Sequence, residues 1–282
     1  MKYFLSILPV FLSLILCHCS SSDLKITYIG NEGFLIETGN KKILSDALWG
    51  EMENTAYEVP SDSLTALMRE AKAPFDKIDL ISISHKHQDH FNADITLAHL
   101  LNDPGTRCVA PEQTAALLRE HAADKTICSR IHGISLPPFS DSTFSLRGID
   151  IRALRLAHSP YMETDPQSGL EVNRHRDEVN LGYLFRVGNA AIFHGGDSNP
   201  LDSSGFATFA LQDEDLDVAF LDRLFLFRGE TPQMIMQRYI QARHTVFMHI
   251  SPANAPRIAP YFKDDSTVSV FTAPLESITL KF

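Results

Sequence analysis

The densest chemistry in the chain is the window His85-Lys86-His87-Gln88-Asp89-His90, with three imidazoles and one carboxylate in six residues. Borderline-soft dications such as Zn²⁺ prefer this donor set. The window follows the apolar run Leu80-Ile81-Ser82-Ile83, which reads as the end of a buried strand. His85 and His87, two apart at a strand end, project toward one point. Asp89 and His90, in the following turn, reach a second point close by. The six residues therefore offer two ligands to each of two cations. A solvated polar loop is the bland alternative, and the spacing behind an apolar strand argues against it.

Such a window needs a frame. Three short β-like runs open the body: Lys25–Gly30, Gly33–Thr38 and Lys41–Ser45, with hairpin turns at Asn31-Glu32 and Gly39-Asn40. Ser61–Lys72 reads as a helix, with Ser61 or Ser63 as cap. Asp79–Ser84 is a buried strand. Helices are expected at Asn92–Leu101 and Pro111–Ala123, with a strand at Thr106–Ala110 between them. Strands return at Thr143–Gly148, Ile149–Ala157, Leu181–Val187 and Ala190–Gly195, then at Asp217–Leu221 and Val246–His249. A helix is expected around Pro232–Ala242 and another at Pro252–Phe262. Val268–Thr272 and Ser277–Phe282 end the chain in strands. Antiparallel strands followed by alternating strands and helices predict two sheets packed face to face with helices outside.

The H-x-H-x-D-H window behind a hydrophobic strand resembles the signature of the metallo-β-lactamase superfamily. The resemblance covers residues 24–282 and implies an α/β fold: a four-layer αβ/βα sandwich of two mixed β-sheets flanked by helices, with metals at one edge. It also implies further ligands downstream at strand ends. His158 follows Leu154-Arg155-Leu156-Ala157, Asp197 closes Ile192-Phe193-His194-Gly195-Gly196, and His249 closes Thr245-Val246-Phe247-Met248. By the same resemblance His85, His87 and His158 hold a first metal, and Asp89, His90 and His249 a second. Asp197 bridges the two. The implied cofactors are two divalent ions, Zn²⁺ first, with Mn²⁺ or Fe as alternatives. The implied reaction is attack by a shared hydroxide on an ester, lactone or phosphodiester, with Asp89 orienting the nucleophile or accepting its proton. His244 competes with His249, and the strand-end position favours His249. His194 reads as a supporting or core residue. Asp46 either accepts a hydrogen bond from a metal-binding imidazole or caps its turn. The opening hairpin, Asp46 and Asn180-Leu181-Gly182-Tyr183 resemble the lactonase and phospholipase D-like branch. An aspartate bridge implies an activity other than antibiotic hydrolysis, because class B β-lactamases usually lack it.

The stretch Ser159–Asn180 reads as a polar loop beside the metals, a lid or pocket wall carrying Tyr161, Arg174, His175 and Arg176. The two arginines could clamp a phosphate or carboxylate, or be neutralised by Asp177 and Glu178 on the surface. Asp222–Arg228 is a second candidate wall whose apolar residues read as core.

The chain has 282 residues and a net charge of −10, so no whole-protein basic footprint for nucleic acid exists. The partner is expected to be a small-molecule or lipid-like substrate. Tyr3–Leu16 is too short to span a membrane and fits a secretory core. The cysteines that follow, Cys17 and Cys19, resemble a bacterial lipoprotein signal. Residues 1–18 are thus expected to be a signal peptide, and the protein an exported envelope protein touching the membrane through a lipid on Cys17 or Cys19. Cys108 and Cys128 read as thiols of the body, with a disulfide as the alternative. Two other functions fit the motif less well: an iron-dependent oxidoreductase of dioxygenase type on the same fold, and a non-catalytic binding protein. The second would bury seven ligands without metal, which is costly.

Overall fold

The first sheet grows from the apolar runs that open the body. Leu24–Gly30 (β1), Gly33–Thr38 (β2) and Lys41–Ser45 (β3) form an antiparallel meander. Ile26, Phe34 and Ile36 face one core, and Ile29, Leu35 and Leu44 face another. Both faces are covered, so these strands read as apolar runs rather than alternating ones. Leu80–Ser82 (β4), Arg107–Pro111 (β5) and Ile131–Ile134 (β6) extend the sheet in parallel. Helices Asp62–Arg69 (α1), Ala93–Asn102 (α2) and Glu112–His121 (α3) connect them. Ser61 caps α1 by accepting from Leu64 N, and Asn92 caps α2 by accepting from Ile95 N.

Asp141–Leu146 (β7) and Ile149–Leu156 (β8) begin the second sheet. Met162–Thr164 (β9) and Glu171–Asn173 (β10) form a separate two-stranded ribbon inside the stretch expected to be a loop. The second sheet resumes with Asn180–Val187 (β11) and Ala190–His194 (β12), antiparallel. Val218–Asp222 (β13), His244–Met248 (β14) and Val268–Val270 (β15) then run parallel. Ser203–Phe209 (α4), Leu224–Phe227 (α5), Glu230–Ile235 (α6) and Ala255–Ile258 (α7) lie on this half. The helix expected at 232–242 is α6 continued by a π turn over Met236–Ile240. The last strand, Ser277–Leu280 (β16), crosses back to pair with β1.

The sheet orders are β16-β1-β2-β3-β4-β5-β6 and β15-β14-β13-β12-β11-β8-β7. Three cores separate four layers. One lies between the sheets, one under α1 to α3, and one under α4 to α7. The four-layer α/β expectation is met. This computed structural model describes residues 23–50, 52, 56–227 and 229–282. The expected leader and Arg228 lie outside them. Among the described residues no helix is long and apolar enough to cross a membrane. Cys108 is buried and Cys128 half-buried, both as free thiols.

Phe220 holds the sheets together, its ring 4.7 Å from that of Phe34 on the opposite sheet. Phe220→Ala should therefore cost about 3–5 kcal/mol of stability. Tyr261→Ala, at a side chain 86% exposed, should stay within about 0.5 kcal/mol. Urea denaturation measures both, and equal effects would contradict the layer assignment.

Candidate metal centre

The chemistry-bearing residues collect where strands end. His85 to His90 occupy the loop between β4 and α2, and His158 follows β8. Asp197 follows β12 through Gly195-Gly196. Gly196 has φ 54°, and a Cβ there would lie 2.5 Å from Asn180 Oδ1 and 2.6 Å from Ser84 Cβ, so the position requires glycine. His249 follows β14 at φ 61°, a left-handed backbone that is uncommon outside glycine. Its N–H donates to Asn31 O at 3.2 Å, which fixes the corner. Asp46 follows β3, also left-handed at φ 44°, and Asp222 ends β13.

One group is rich in nitrogen. His85 Nε2 lies 2.9 Å from His87 Nδ1 and 3.2 Å from His158 Nε2. Asp197 Oδ2 is 3.4 Å from His158 Nε2 and 3.9 Å from His85 Nε2. Neighbouring bonds assign the protons. His158 Nδ1 donates to Ser159 O at 2.8 Å. Ser84 Oγ gives its proton to Asp46 at 2.6 Å, so it accepts from His85 Nδ1 at 2.9 Å. Two Nε2 lone pairs therefore face each other. Burial, reinforced by His90 and His158, holds His85 well below the usual imidazole range. Burial and the same two neighbours push His87 down to about 4, and burial lowers His158. Neutral imidazoles whose lone pairs converge this closely suit a cation and not a proton.

The second group is richer in oxygen. His90 Nδ1 donates to Asp46 Oδ2 at 3.0 Å, and its Nε2 lies 3.5 Å from Asp197 Oδ1 and 3.7 Å from Asp89 Oδ2. His249 Nδ1 donates to Asp222 Oδ2 at 2.7 Å, and its Nε2 lies 3.2 Å from Asp89 Oδ2. Asn31 Nδ2 donates to Asp89 Oδ2 at 3.1 Å. Burial opposes charge on both histidines. Asp89, Asp197 and Asp46 nevertheless raise His90 to about 9, and Asp197, Asp222 and Asp89 raise His249 to about 10. His90 Nε2 and Asp197 Oδ1 are buried without a hydrogen-bond partner among the described residues.

Ligand atoms of His85, His87, His158 and Asp197 all lie within 4.8 Å of one another, and so do those of Glu32, His90, Asp197 and His249. Asp197 belongs to both groups, the place a bridging carboxylate must occupy. Asp89 stands at the edge of the second. The donor chemistry and the orphaned atoms together fit a pair of divalent cations.

The other sequence candidates divide. Asp46 spends its carboxylate on Ser84 and His90 and caps no turn, so of its two expected roles the structure places it in the one that orients an imidazole. Tyr161 and His175 line a cavity of about 470 Å³ over the ligands, with Met52, Tyr57, Arg223 and Leu224. The His175 ring lies 4.4 Å from that of His158 and 4.7 Å from that of His87. Of the two readings of Arg174 and Arg176, a clamp or a neutralised surface pair, the structure places Arg174 nearer the second, with Glu163 in place of Asp177 or Glu178 as its partner. Arg174 is exposed and paired with Glu163 at 2.7 Å, and Arg176 borders a neighbouring cavity. The ribbon β9–β10 turns Arg174 toward Glu163 across its own strands. Arg223 instead supplies the cation in the main cavity wall, donating to His249 O at 2.6 Å. His244 bonds Ser269 and Ser266 O instead of the cluster. His194 supports the centre, accepting from Gly196 N and donating to Glu32 O. Sequence reasoning missed Glu32, Asn31, Ser84, Tyr57 and Glu178, and placed Asp222 only in a wall. The Tyr57 ring stacks on His249 at 5.0 Å, and Glu178 pairs with Lys86 at 3.0 Å beside His87.

Residues 41–260 match the family model of the beta-lactamase superfamily domain. No curated protein matches the chain. Similar solved structures include Igni18, a metallo hydrolase from the archaeon Ignicoccus hospitalis. It is 18% identical with a TM-score of 0.59, over 92% of this chain and 99% of that one. An isothiocyanate hydrolase from Delia radicum gut bacteria is 15% identical with a TM-score of 0.56, over 92% and 100%. CmlA, a diiron β-hydroxylase from Streptomyces venezuelae, is 14% identical with a TM-score of 0.55, over 93% of this chain and 54% of that one. At such identities these structures speak for the fold, while the family match spans most of the chain: the protein belongs to the metallo-β-lactamase superfamily.

Proposed function

We propose that the protein is a dinuclear metal-dependent hydrolase that cleaves an ester, lactone or phosphodiester bond in a small or lipid-like molecule. The observation that carries this reading is the convergence of three imidazoles, their nitrogens 2.9–3.2 Å apart, beside a carboxylate shared with a second ligand group. His85, His87 and His158 would hold one cation, and Asp89, His90 and His249 the other, with Asp197 between them. When bound, the cations supply Lewis acidity, which acidifies a water and polarises the oxygen of the scissile group.

The chain's own groups do the rest. Asn31 Nδ2 fixes Asp89 through Oδ2, and its carboxylate lines the cavity, where it takes the proton of the attacking water. His175 donates Nδ1–H to Ser159 O at 3.0 Å, so its Nε2 is left as a lone pair that can take up the proton collected by Asp89 and hand it to the leaving group. Burial, with Asp89 and Asp197, pushes the Tyr57 phenol up to about 12, so it stays a hydroxyl donor at neutral pH. Arg223 opposes an anionic substituent, while Met52, Leu224 and Tyr161 offer apolar wall. The leader at 1–18 extends the reading to an envelope protein anchored through Cys17 or Cys19. An iron-dependent oxidoreductase on this fold is the second reading. The second group favours it, because two imidazoles with a carboxylate are the donor set of non-haem iron oxygenases.

Elemental analysis of the purified protein should find two divalent ions per chain, and a panel of phosphodiesters and lactones should be hydrolysed without oxygen consumption. Bound iron with oxygen-dependent turnover would favour the oxidoreductase. Asp222→Asn, which replaces the charged acceptor that orients His249 with a neutral amide, should lower metal affinity or turnover about 10–100-fold. His87→Ala removes a ligand outright and should cost more, with the circular dichroism spectrum unchanged. Full turnover of His87→Ala would contradict the site.

A further inference from the structure

Glu32 sits in the turn Gly30-Asn31-Glu32-Gly33 between β1 and β2, where a charged side chain ordinarily meets water. Here its exposure is 0%. Neither carboxylate oxygen has a hydrogen-bond partner among the described residues. Oε2 lies 3.5 Å from His90 Nδ1 and Oε1 lies 3.7 Å from His249 Nδ1, beyond hydrogen-bond reach. Both nitrogens already donate to Asp46 and Asp222. A carboxylate oxygen of Glu32 nevertheless falls within 4.8 Å of ligand atoms from His90, Asp197 and His249.

The turn cannot swing this side chain outward. Asn31 O accepts from His249 N, Asn31 Nδ2 holds Asp89, and His194 Nε2 donates to Glu32 O at 3.4 Å. A Cβ on Gly33 would lie 2.9 Å from Ala47 Cα, so the turn lies flat against the Asp46 loop. Burial and the facing Asp197 carboxylate push Glu32 well above the usual carboxylate range, and a group so placed is either protonated or bound to a cation.

We propose that Glu32 is a carboxylate ligand of the second cation. The inference rests on the two-cation reading above. It makes the two positions chemically unequal. His85, His87, His158 and Asp197 form a nitrogen-rich position suited to Zn²⁺. Glu32, Asp89 and Asp197 with His90 and His249 form an oxygen-rich one with a greater relative preference for a harder ion such as Mn²⁺.

The test is metal titration of the chelator-stripped full chain with Zn²⁺, Mn²⁺ and an equimolar mixture. Bound metal is counted by elemental analysis, and Mn²⁺ is followed by its paramagnetic resonance spectrum. Wild type should bind two ions per chain, and the gap between Zn²⁺ and Mn²⁺ affinity should be smaller at the second position than at the first. Glu32→Gln keeps the size and removes the charge. It should lower Mn²⁺ affinity about 10–100-fold while leaving one tight Zn²⁺ in place. Mn²⁺ should raise the melting temperature of wild type and not that of Glu32→Gln. Glu32→Asp, which keeps the charge on a shorter arm, should bind Mn²⁺ with intermediate affinity and guards against a misfolded Gln variant. Two ions bound unchanged by Glu32→Gln would overturn the ligand role and leave the centre standing. Equal losses for Zn²⁺ and Mn²⁺ would also overturn it, since that would mean charge compensation alone. A wild-type chain that binds no ion would overturn the underlying reading as well.

Discussion

Glu32, Asp46, Asp89, Asp197 and Asp222 are all buried within one cluster of loops. Carboxylates crowded away from water repel one another, and the arrangement holds only if positive charge stands among them. Imidazoles supply part of it. His90 and His249 lie between pairs of these carboxylates and are raised by them, while His85, His87 and His158 remain neutral at the far side of Asp197. The asymmetry follows from where the carboxylates are. Asp46 and Asp222 each accept from the Nδ1 of a clustered histidine, which turns Nε2 of His90 toward Asp89 and Asp197 and Nε2 of His249 toward Asp89.

The fold delivers these groups by stopping strands at a common edge. β3, β4, β8, β12, β13 and β14 each hand over a functional residue within a few positions of their carboxyl ends. Three apolar cores fix the strands, so the loops inherit rigid anchors while their tips stay open to the cavity. Tyr183 adds a tie between the halves, donating across to Ile83 O just ahead of His85. Left-handed backbone at Asp46, Gly196 and His249 lies at three of these corners, consistent with strain being tolerated where function needs a side chain aimed.

Much of this was legible from the chain alone, and the limits have physical causes. The window at 85–90 is local, so its spacing decides its geometry. His158, Asp197 and His249 end apolar runs, which places them at a sheet edge. Asp222 ends an apolar run in the same way, yet it serves His249. Position along a strand says that a side chain reaches the edge, not which partner it meets there. Glu32 left no signal, because a two-residue turn reads as solvated until the loop after β14 is seen to close over it. The ribbon β9–β10 escaped notice because strands of three residues, β9 exposed throughout and β10 only partly covered, are too short to show a hydrophobic period. Without that ribbon, Arg174 was free to be imagined facing inward.

The order of the strands has one more consequence. Both ligand groups draw on both sheets, joining residues near the start of the chain to His249 near its end. A cation held there acts as a clasp across a very long loop, restricting the unfolded chain much as a cross-link would. With a cation bound in this way, supply of the ion and survival of the fold would be coupled: a cell short of metal would hold this protein with its two halves less firmly fastened, and proteolysis would sample the difference.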